Sequence, residues 1–284
     1  MKLKKKEFLN SYPRAVYLHL TQRCNLNCAY CYSDARGDCF NEITTDDAKR
    51  ILSQVAAFRP KKVVFTGGEP LMREDTIELA RFFRQSASQL TQLCINTNGS
   101  LVDSGIASSL VELFDEVRIS VDGFEETNDA LRGKGAFRAA IRAIGEISRA
   151  GGVPSIAITL TSANLPGIQY FIHYMCHEWG IRTVRINPMK PMGRGKNRPD
   201  LLLSDRALDC SIFPDNAQAP DGDRSPCDGS GSCLGTTISI TPQGLAFPCH
   251  WLSQEEHLLG DLKTENLSLI YDRLNELRQR FVAH

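Results

Sequence analysis

The chain has 284 residues, 42% of them hydrophobic, and its 33 Lys and Arg balance its 33 Asp and Glu at a formal charge of zero. That length supports a well-filled core and about two domains. Neutrality argues against a nucleic-acid or membrane-surface partner, and no apolar run approaches the ~18 residues of a membrane span. The basic run Lys2, Lys4, Lys5 and Lys6 lacks the apolar segment of a secretion signal and reads as part of a solvated tail over residues 1–14. Ten cysteines without such a signal point to the reducing cytoplasm, with thiols used as metal ligands or small buried hydrophobes.

The first strand reads at 15–20 and runs into Cys24-Asn-Leu-Asn-Cys28-Ala-Tyr30-Cys31. A loop can wrap three thiolates spaced C-x3-C-x2-C around one iron–sulfur cube, leaving the fourth iron without a protein ligand. A zinc knuckle is the alternative, although zinc normally takes four protein ligands in C-x2–4-C pairs. Thr44-Thr45-Asp46-Asp47 then opens a helix that Pro60 stops. A strand at 62–66 leads into Gly67-Gly68-Glu69-Pro70, where two glycines admit a close ligand or simply make a tight turn. A strand at 92–97 contains Cys94, read as core filler, and ends in Thr97-Asn98-Gly99. The strand at 116–121 ends in Ser120-Val121-Asp122-Gly123. Phe137, Ile141, Ile144 and Ile147 share one helical face that Gly151-Gly152 ends. Strands at 154–160 and 182–187 follow, separated by a helical run in which Cys176 reads as core.

Six β-α units in series predict a parallel sheet with right-handed crossovers. Val117, Ile119 and Val121 alternate with Arg118, Ser120 and Asp122; Ile156, Ile158 and Leu160 alternate with Ala157, Thr159 and Thr161. A parallel strand covered on both faces should be apolar on both. A curved, incompletely closed barrel with a ligand-filled lumen accounts for the polar face; an antiparallel sheet with one wet face is the alternative. In barrels the C-terminal strand ends form the active site, and four of the turns above lie at such ends.

Beyond Asn187, a Pro/Gly-rich connector (188–195) precedes a region over 191–284 that is loop-rich and rich in cysteine. Thr237–Thr241 and Leu245–Phe247 read as a hairpin about Pro242-Gln243-Gly244, and Leu267, Ile270, Leu274, Leu277 and Phe281 as one face of a final helix. So small a second domain would benefit from a metal staple.

The C-x3-C-x2-C loop with Tyr30 before its third cysteine, followed in order by these turns, resembles the radical S-adenosylmethionine (SAM) superfamily over residues ~15 to ~190. The resemblance implies an α/β partial (β/α)6 TIM barrel at 15–190. It also implies a catalytic [4Fe–4S] cluster on Cys24, Cys28 and Cys31, with SAM chelating the open iron. Gly67, Gly68 and Glu69 would hold the methionyl amino group, and Ser120 and Asp122 would lie along the carboxylate and ribose. Tyr30 would meet the adenine through its backbone. Arg132 would neutralise the SAM carboxylate, a helix-end surface charge being its other reading. Asn98 carries over less specifically, because a Thr-Asn-Gly turn is common for its own reasons. The implied chemistry is reductive cleavage of SAM to a 5′-deoxyadenosyl radical that removes a substrate hydrogen atom.

Cys227-x5-Cys233-x10-Gly244-x4-Cys249 resembles the opening half of a SPASM domain, with no cysteine after Cys249. This implies a truncated SPASM or twitch module at 191–284 holding one auxiliary [4Fe–4S] cluster on Cys227, Cys233 and Cys249. A structural zinc site is the alternative. The fourth ligand could be Cys210, Asp228, His250 or none; a free Cys210 would instead donate a hydrogen atom to a substrate radical, or be an ordinary buried thiol. The expectation is a cytoplasmic peptide-modifying enzyme that crosslinks, epimerises or oxidises a ribosomally made peptide. A reductant such as flavodoxin or ferredoxin would supply electrons, and leader recognition would fall to a separate protein or not be needed. The alternatives are a small-molecule dehydrogenase or cofactor-biosynthesis enzyme, and a non-catalytic iron–sulfur or zinc module.

Overall fold

The structure is a computed structural model that describes residues 14–37, 41–204, 217–218 and 237–282. Six strands follow one another in parallel: β1 (Ala15–Thr21), β2 (Lys62–Gly67), β3 (Gln92–Thr97), β4 (Glu116–Ser120), β5 (Ser155–Leu160) and β6 (Val184–Pro188). Their bounds match the expected ones within a residue or two, as alternation over a half-apolar strand predicts. The crossovers carry α1 (Thr45–Ala57), α2 (Thr76–Ser86), α3 (Ser104–Leu113), α4 (Glu125–Arg132), α5 (Ala136–Arg149) and α6 (Ile168–Glu178).

Local chemistry sets these ends. The Thr44 hydroxyl accepts from the Asp47 N–H and caps α1, and Gly151, at φ +86°, takes the left-handed position just beyond α5. Outward-facing Leu18, Phe65, Ile95, Ile119 and Ile158 join Ala140, Ile144, Ile147 and Phe171 of the helices in one buried core. The intervening residues face inward. Tyr17, Thr66, Asn96, Arg118, Thr159 and Arg185, one from each of the six strands, line a single cavity. The polar face is therefore a barrel lumen, not the wet side of an antiparallel sheet. Cys94 is fully buried, burial pushing its thiol up to about 12, and Cys176 is half-buried against the core.

The barrel does not close on itself. The full sheet order is β10-β9-β8-β1-β2-β3-β4-β5-β6-β7, with β7 (Ala217–Gln218), β8 (Thr237–Ile240), β9 (Leu245–Phe247) and β10 (Gly260–Asp261). The expected hairpin, β8 and β9, forms, and β8 adds to β1 in parallel, covering an edge that would otherwise present unpaired backbone groups. The final helix α7 (Leu267–Val282) buries Leu267, Ile270 and Leu274 in the same core. These C-terminal antiparallel strands thus continue the barrel's own sheet. Cys39, Cys210, Cys227, Asp228 and Cys233 lie outside the described residues. No helix among the described residues is long and apolar enough to cross a membrane.

Candidate active site

A cavity of about 250 Å³ opens at the C-terminal ends of the strands, and Cys24, Cys28 and Cys31 stand on its wall. The register of β1 against β2 shifts between His19 and Thr21, turning the chain out of the sheet and into the cysteine loop. The Cys24 N–H donates to the Arg36 carbonyl at 2.9 Å and the Ala29 N–H to the Leu131 carbonyl at 2.8 Å. From the far end of the barrel comes Arg194. Its backbone N–H donates to the Cys31 carbonyl (2.9 Å), its Nε to the Cys28 carbonyl (2.9 Å), and its Nη1 to Asp34 (3.0 Å) and the Ala35 carbonyl (2.8 Å). Gly193 precedes it at φ +51°, where a Cβ would strike the Cys31 and Tyr32 carbonyls. The Pro/Gly-rich connector is therefore a clasp on the thiol loop. Its composition shows only that the chain turns there, and sequence reasoning missed it.

Burial raises the Cys24 thiol and pushes Cys28 up to about 11, with Arg132 pulling Cys28 back and Cys31 raising both. Among the described residues no three His, Cys, Asp or Glu side chains converge as they would around a single ion. The thiols instead stand around one cavity with Arg132 and Arg194 nearby to balance thiolate charge. That donor set fits an iron–sulfur cube with one iron open to a ligand.

The Gly67–Pro70 turn is stitched to the entrance of this loop. The Gly68 N–H donates to the Thr21 carbonyl (2.7 Å) and the Glu69 N–H to the Arg23 carbonyl (2.8 Å). A Cβ on Gly68 would collide with that Arg23 carbonyl. Gly67 and Gly68 line the cavity, whereas Glu69 turns inward at 1% exposure. Its carboxylate accepts from the Thr97 hydroxyl (2.7 Å), the Asn98 N–H (2.7 Å) and the Leu71 N–H (3.2 Å). Burial pushes it up to about 6 against the pull of those donors. Asn98 lines the cavity and joins the loop through its Nδ2, which donates to Asn25 at 2.9 Å.

Ser120, Tyr30 and Arg132 also line the cavity; Asp122, fully buried, does not. Its carboxylate receives the Arg132 fork (Nε 2.7 Å, Nη2 2.9 Å), the Thr159 N–H (2.8 Å) and the Tyr30 hydroxyl. Arg132 is 7% exposed, so the surface-charge reading fails: burial opposes its charge, and Asp122 more than restores it. Asp122 thus ties β4, α4, β5 and the cysteine loop together from behind the wall, and the Arg132 guanidinium lies 5.6 Å from the centre of the Tyr30 ring.

Cys249 is buried at 3% exposure, while His250 and Trp251 line the cavity opposite. The Tyr32 ring packs 5.9 Å from His250 and 5.2 Å from Trp251. Its phenol is raised by burial, then by Cys31, with Cys249 contributing further. Sequence reasoning passed over Tyr32. Arg118 reads in the sequence only as a polar-face residue of its strand, with no role.

The model of the radical SAM superfamily matches residues 18–170. Fe-coproporphyrin III synthase of Methanosarcina barkeri is 38% identical over 156 residues, which are 54% of this chain and 38% of that protein. Pre-heme d1 synthase of Dinoroseobacter shibae is 34% identical over 209 residues (70% and 50%). Mycofactocin maturase MftC of Mycolicibacterium smegmatis is 32% identical over 186 residues (64% and 46%). The matched segments are half or less of those relatives' length. Among solved structures, anSMEcpe with bound AdoMet superposes at a TM-score of 0.76 with 18% identity, covering 93% of this chain and 82% of that one. Streptococcus suis SuiB bound to S-adenosylmethionine does so at 0.75 with 19% identity, covering 98% and 70%. At such identities the likeness shows the fold, a shared parallel barrel with further C-terminal strands. The family match spans more than half the chain and includes the thiol loop and the turns after β2, β3 and β4; the chain belongs to the radical SAM superfamily.

Proposed function

We propose that the cavity is where a substrate C–H bond meets SAM, and that the chain starts radical chemistry there. When bound, a [4Fe–4S] cluster and SAM would supply a 5′-deoxyadenosyl radical, given one electron from a donor such as flavodoxin or ferredoxin. Cys24, Cys28 and Cys31 would hold the cluster. Gly67 and Gly68 offer a close backbone surface to the methionyl end of SAM, and Arg132 and Ser120 stand ready for its carboxylate. Asp122 and Glu69 position that wall from behind. The observation that carries the reading is that three thiols open onto the same cavity as side chains from all six strands. Anaerobic reconstitution with dithionite and SAM tests it: 5′-deoxyadenosine is expected, and its absence overturns the reading.

The substrate class is a ribosomally made peptide, crosslinked, epimerised or oxidised. Support comes from the mycofactocin maturase relative and from the fold shared with structures solved as anSMEcpe with a peptide and SuiB with its precursor peptide. A second reading, tetrapyrrole cofactor synthesis, is favoured by the two relatives of higher identity, named for coproporphyrin and heme d1 chemistry. A gene for a short precursor peptide beside this one would separate them. Cys249, buried beside the cavity-lining His250, would help hold an auxiliary cluster with Cys227 and Cys233, with Cys210 as fourth ligand or hydrogen donor. Iron counting on a Cys24/Cys28/Cys31→Ala triple variant checks this: about four irons per chain remain if the cluster exists.

A further inference from the structure

Four cationic side chains line the cavity, Arg118, Arg132, Arg185 and Lys190, and among the described residues no Asp or Glu does. Among the described residues, two of the acids behind this wall pair with these cations, and they are unequally shared. Of the four cations Asp122 takes Arg132, in a bidentate pair. Glu116 serves two arginines: Oε2 receives Arg118 Nη2 at 2.5 Å, and Oε1 receives Arg185 Nε at 3.0 Å. Glu116 is already crowded, for Arg185 Nη2 also reaches Oε2 (3.3 Å) and the Ser155 hydroxyl donates to Oε1 (3.1 Å).

Arg118 is left with unspent capacity. It is 5% exposed, and among the described residues its Nη1 reaches only Asn96 Oδ1 at 3.4 Å and its buried Nε has no hydrogen-bond partner. A buried cation lacking a full set of acceptors is costly to keep, and a guanidinium fork matches a carboxylate edge-on. Arg118 also stands two residues before Ser120 on β4, about 6–7 Å deeper in the lumen at ~3.3 Å per residue. The unmet donor capacity of Arg118 therefore lies deeper in the lumen, distinct from Arg132 at the end of α4.

We propose that the Arg118–Arg185 pair binds a carboxylate of the substrate and seats the molecule on the cavity floor with its remainder reaching toward the thiol loop. This rests on the cavity being where substrate meets SAM. The carboxylate could belong to a peptide or be a propionate of a tetrapyrrole; the chemistry recognised is the same.

The test is isothermal titration under anaerobic conditions on reconstituted, SAM-saturated protein. The probes are the tripeptide Ala-Ala-Phe with a free or an amidated C-terminus, and coproporphyrin III as free acid or tetramethyl ester. At least one acid should bind about tenfold or more tightly than its uncharged form. In Arg118→Gln that preference should fall below about threefold while SAM affinity stays unchanged. A preference in the peptide pair assigns the carboxylate to a peptide, and one in the porphyrin pair assigns it to a propionate. If Arg118→Gln does not fold, Arg185→Gln carries the same comparison. No acid preference in the wild type, or one that survives these variants, overturns the proposal. 5′-Deoxyadenosine formation is read separately: its absence with acid preference intact sinks only the radical reading, and its presence without acid preference sinks only this one.

Discussion

Glu69 and Asp122 are buried carboxylates just beyond the ends of β2 and β4, and both turn away from the cavity, yet they are held by opposite means. Asp122 has a full countercharge in the Arg132 fork, plus a phenol and a backbone N–H. Glu69 has only neutral donors, one hydroxyl and two backbone N–H groups. Asp122 joins elements distant in sequence, Tyr30 and Thr159 among them, while Glu69 draws on its own turn and the adjacent β3 end. On one and the same rim of the barrel, the β4 side is thus fixed by charge and the β2 side by backbone geometry. A turn motif that resembles a ligand contact can act on the ligand through the wall it braces.

Asp122→Asn should give the largest effect: it leaves Arg132 buried without its partner, a loss of about 3–5 kcal/mol by denaturant unfolding. Parity with Glu69→Gln would break the comparison. Tyr30→Phe removes one donor to the same carboxylate and should cost about 1.5–3 kcal/mol. Glu69→Gln sets an amide N–H against donors and should cost about 1–3 kcal/mol at pH 7. That last gap should depend on pH. Folded Glu69 titrates near 6 against an ordinary 4.5, so protonation favours the folded state and its contribution is full below 4.5 and lost as pH rises through 6. The wild type should therefore gain about 2 kcal/mol on Glu69→Gln between about pH 7 and about pH 3.5, at 1.36 kcal/mol per pKa unit; melting curves in matched buffers would show a flat difference if Glu69 is not buried as described. Last, Arg138→Ala breaks a pair with Glu125 whose side chains are 79% and 47% exposed, and should move stability by less than about 0.5 kcal/mol.

Six strands, the α1 cap and the final helix were legible because each is written in local periodicity. The thiol triplet was legible because its spacing is the chemistry. What stayed hidden depends on who meets whom across the fold. Pro/Gly composition marked 188–195 as a turn, but nothing near Arg194 shows that its target is the Cys28 carbonyl. The hairpin at 237–247 was readable, its pairing with β1 was not, because strand partners far apart leave no periodic trace. Glu69 and Asp122 were placed at the right strand ends; whether each faces ligand or protein turns on donors contributed by Thr97, Asn98, Arg132 and Thr159. Arg118 sat plainly on the polar face, but its shortage of acceptors appears only when Glu116 and Arg185 are seen to share one site.

The Arg194 clasp orders events in time. Arg194 follows Cys28 by 166 residues, so a ribosome adding 5–20 residues per second makes the thiols on the order of ten to thirty seconds before the residue that locks them. Through that interval the loop lacks its clasp and is held by β1 and by the bonds to Glu69, Asn98, Asp122 and Leu131 that become available as those segments fold. Iron delivered early would meet an unbraced loop; iron delivered after the sixth strand has docked would meet a finished one. Maturation of the site is thus coupled to completion of the barrel, and an Arg194→Ala chain should fill with iron more slowly even where the final stoichiometry is the same.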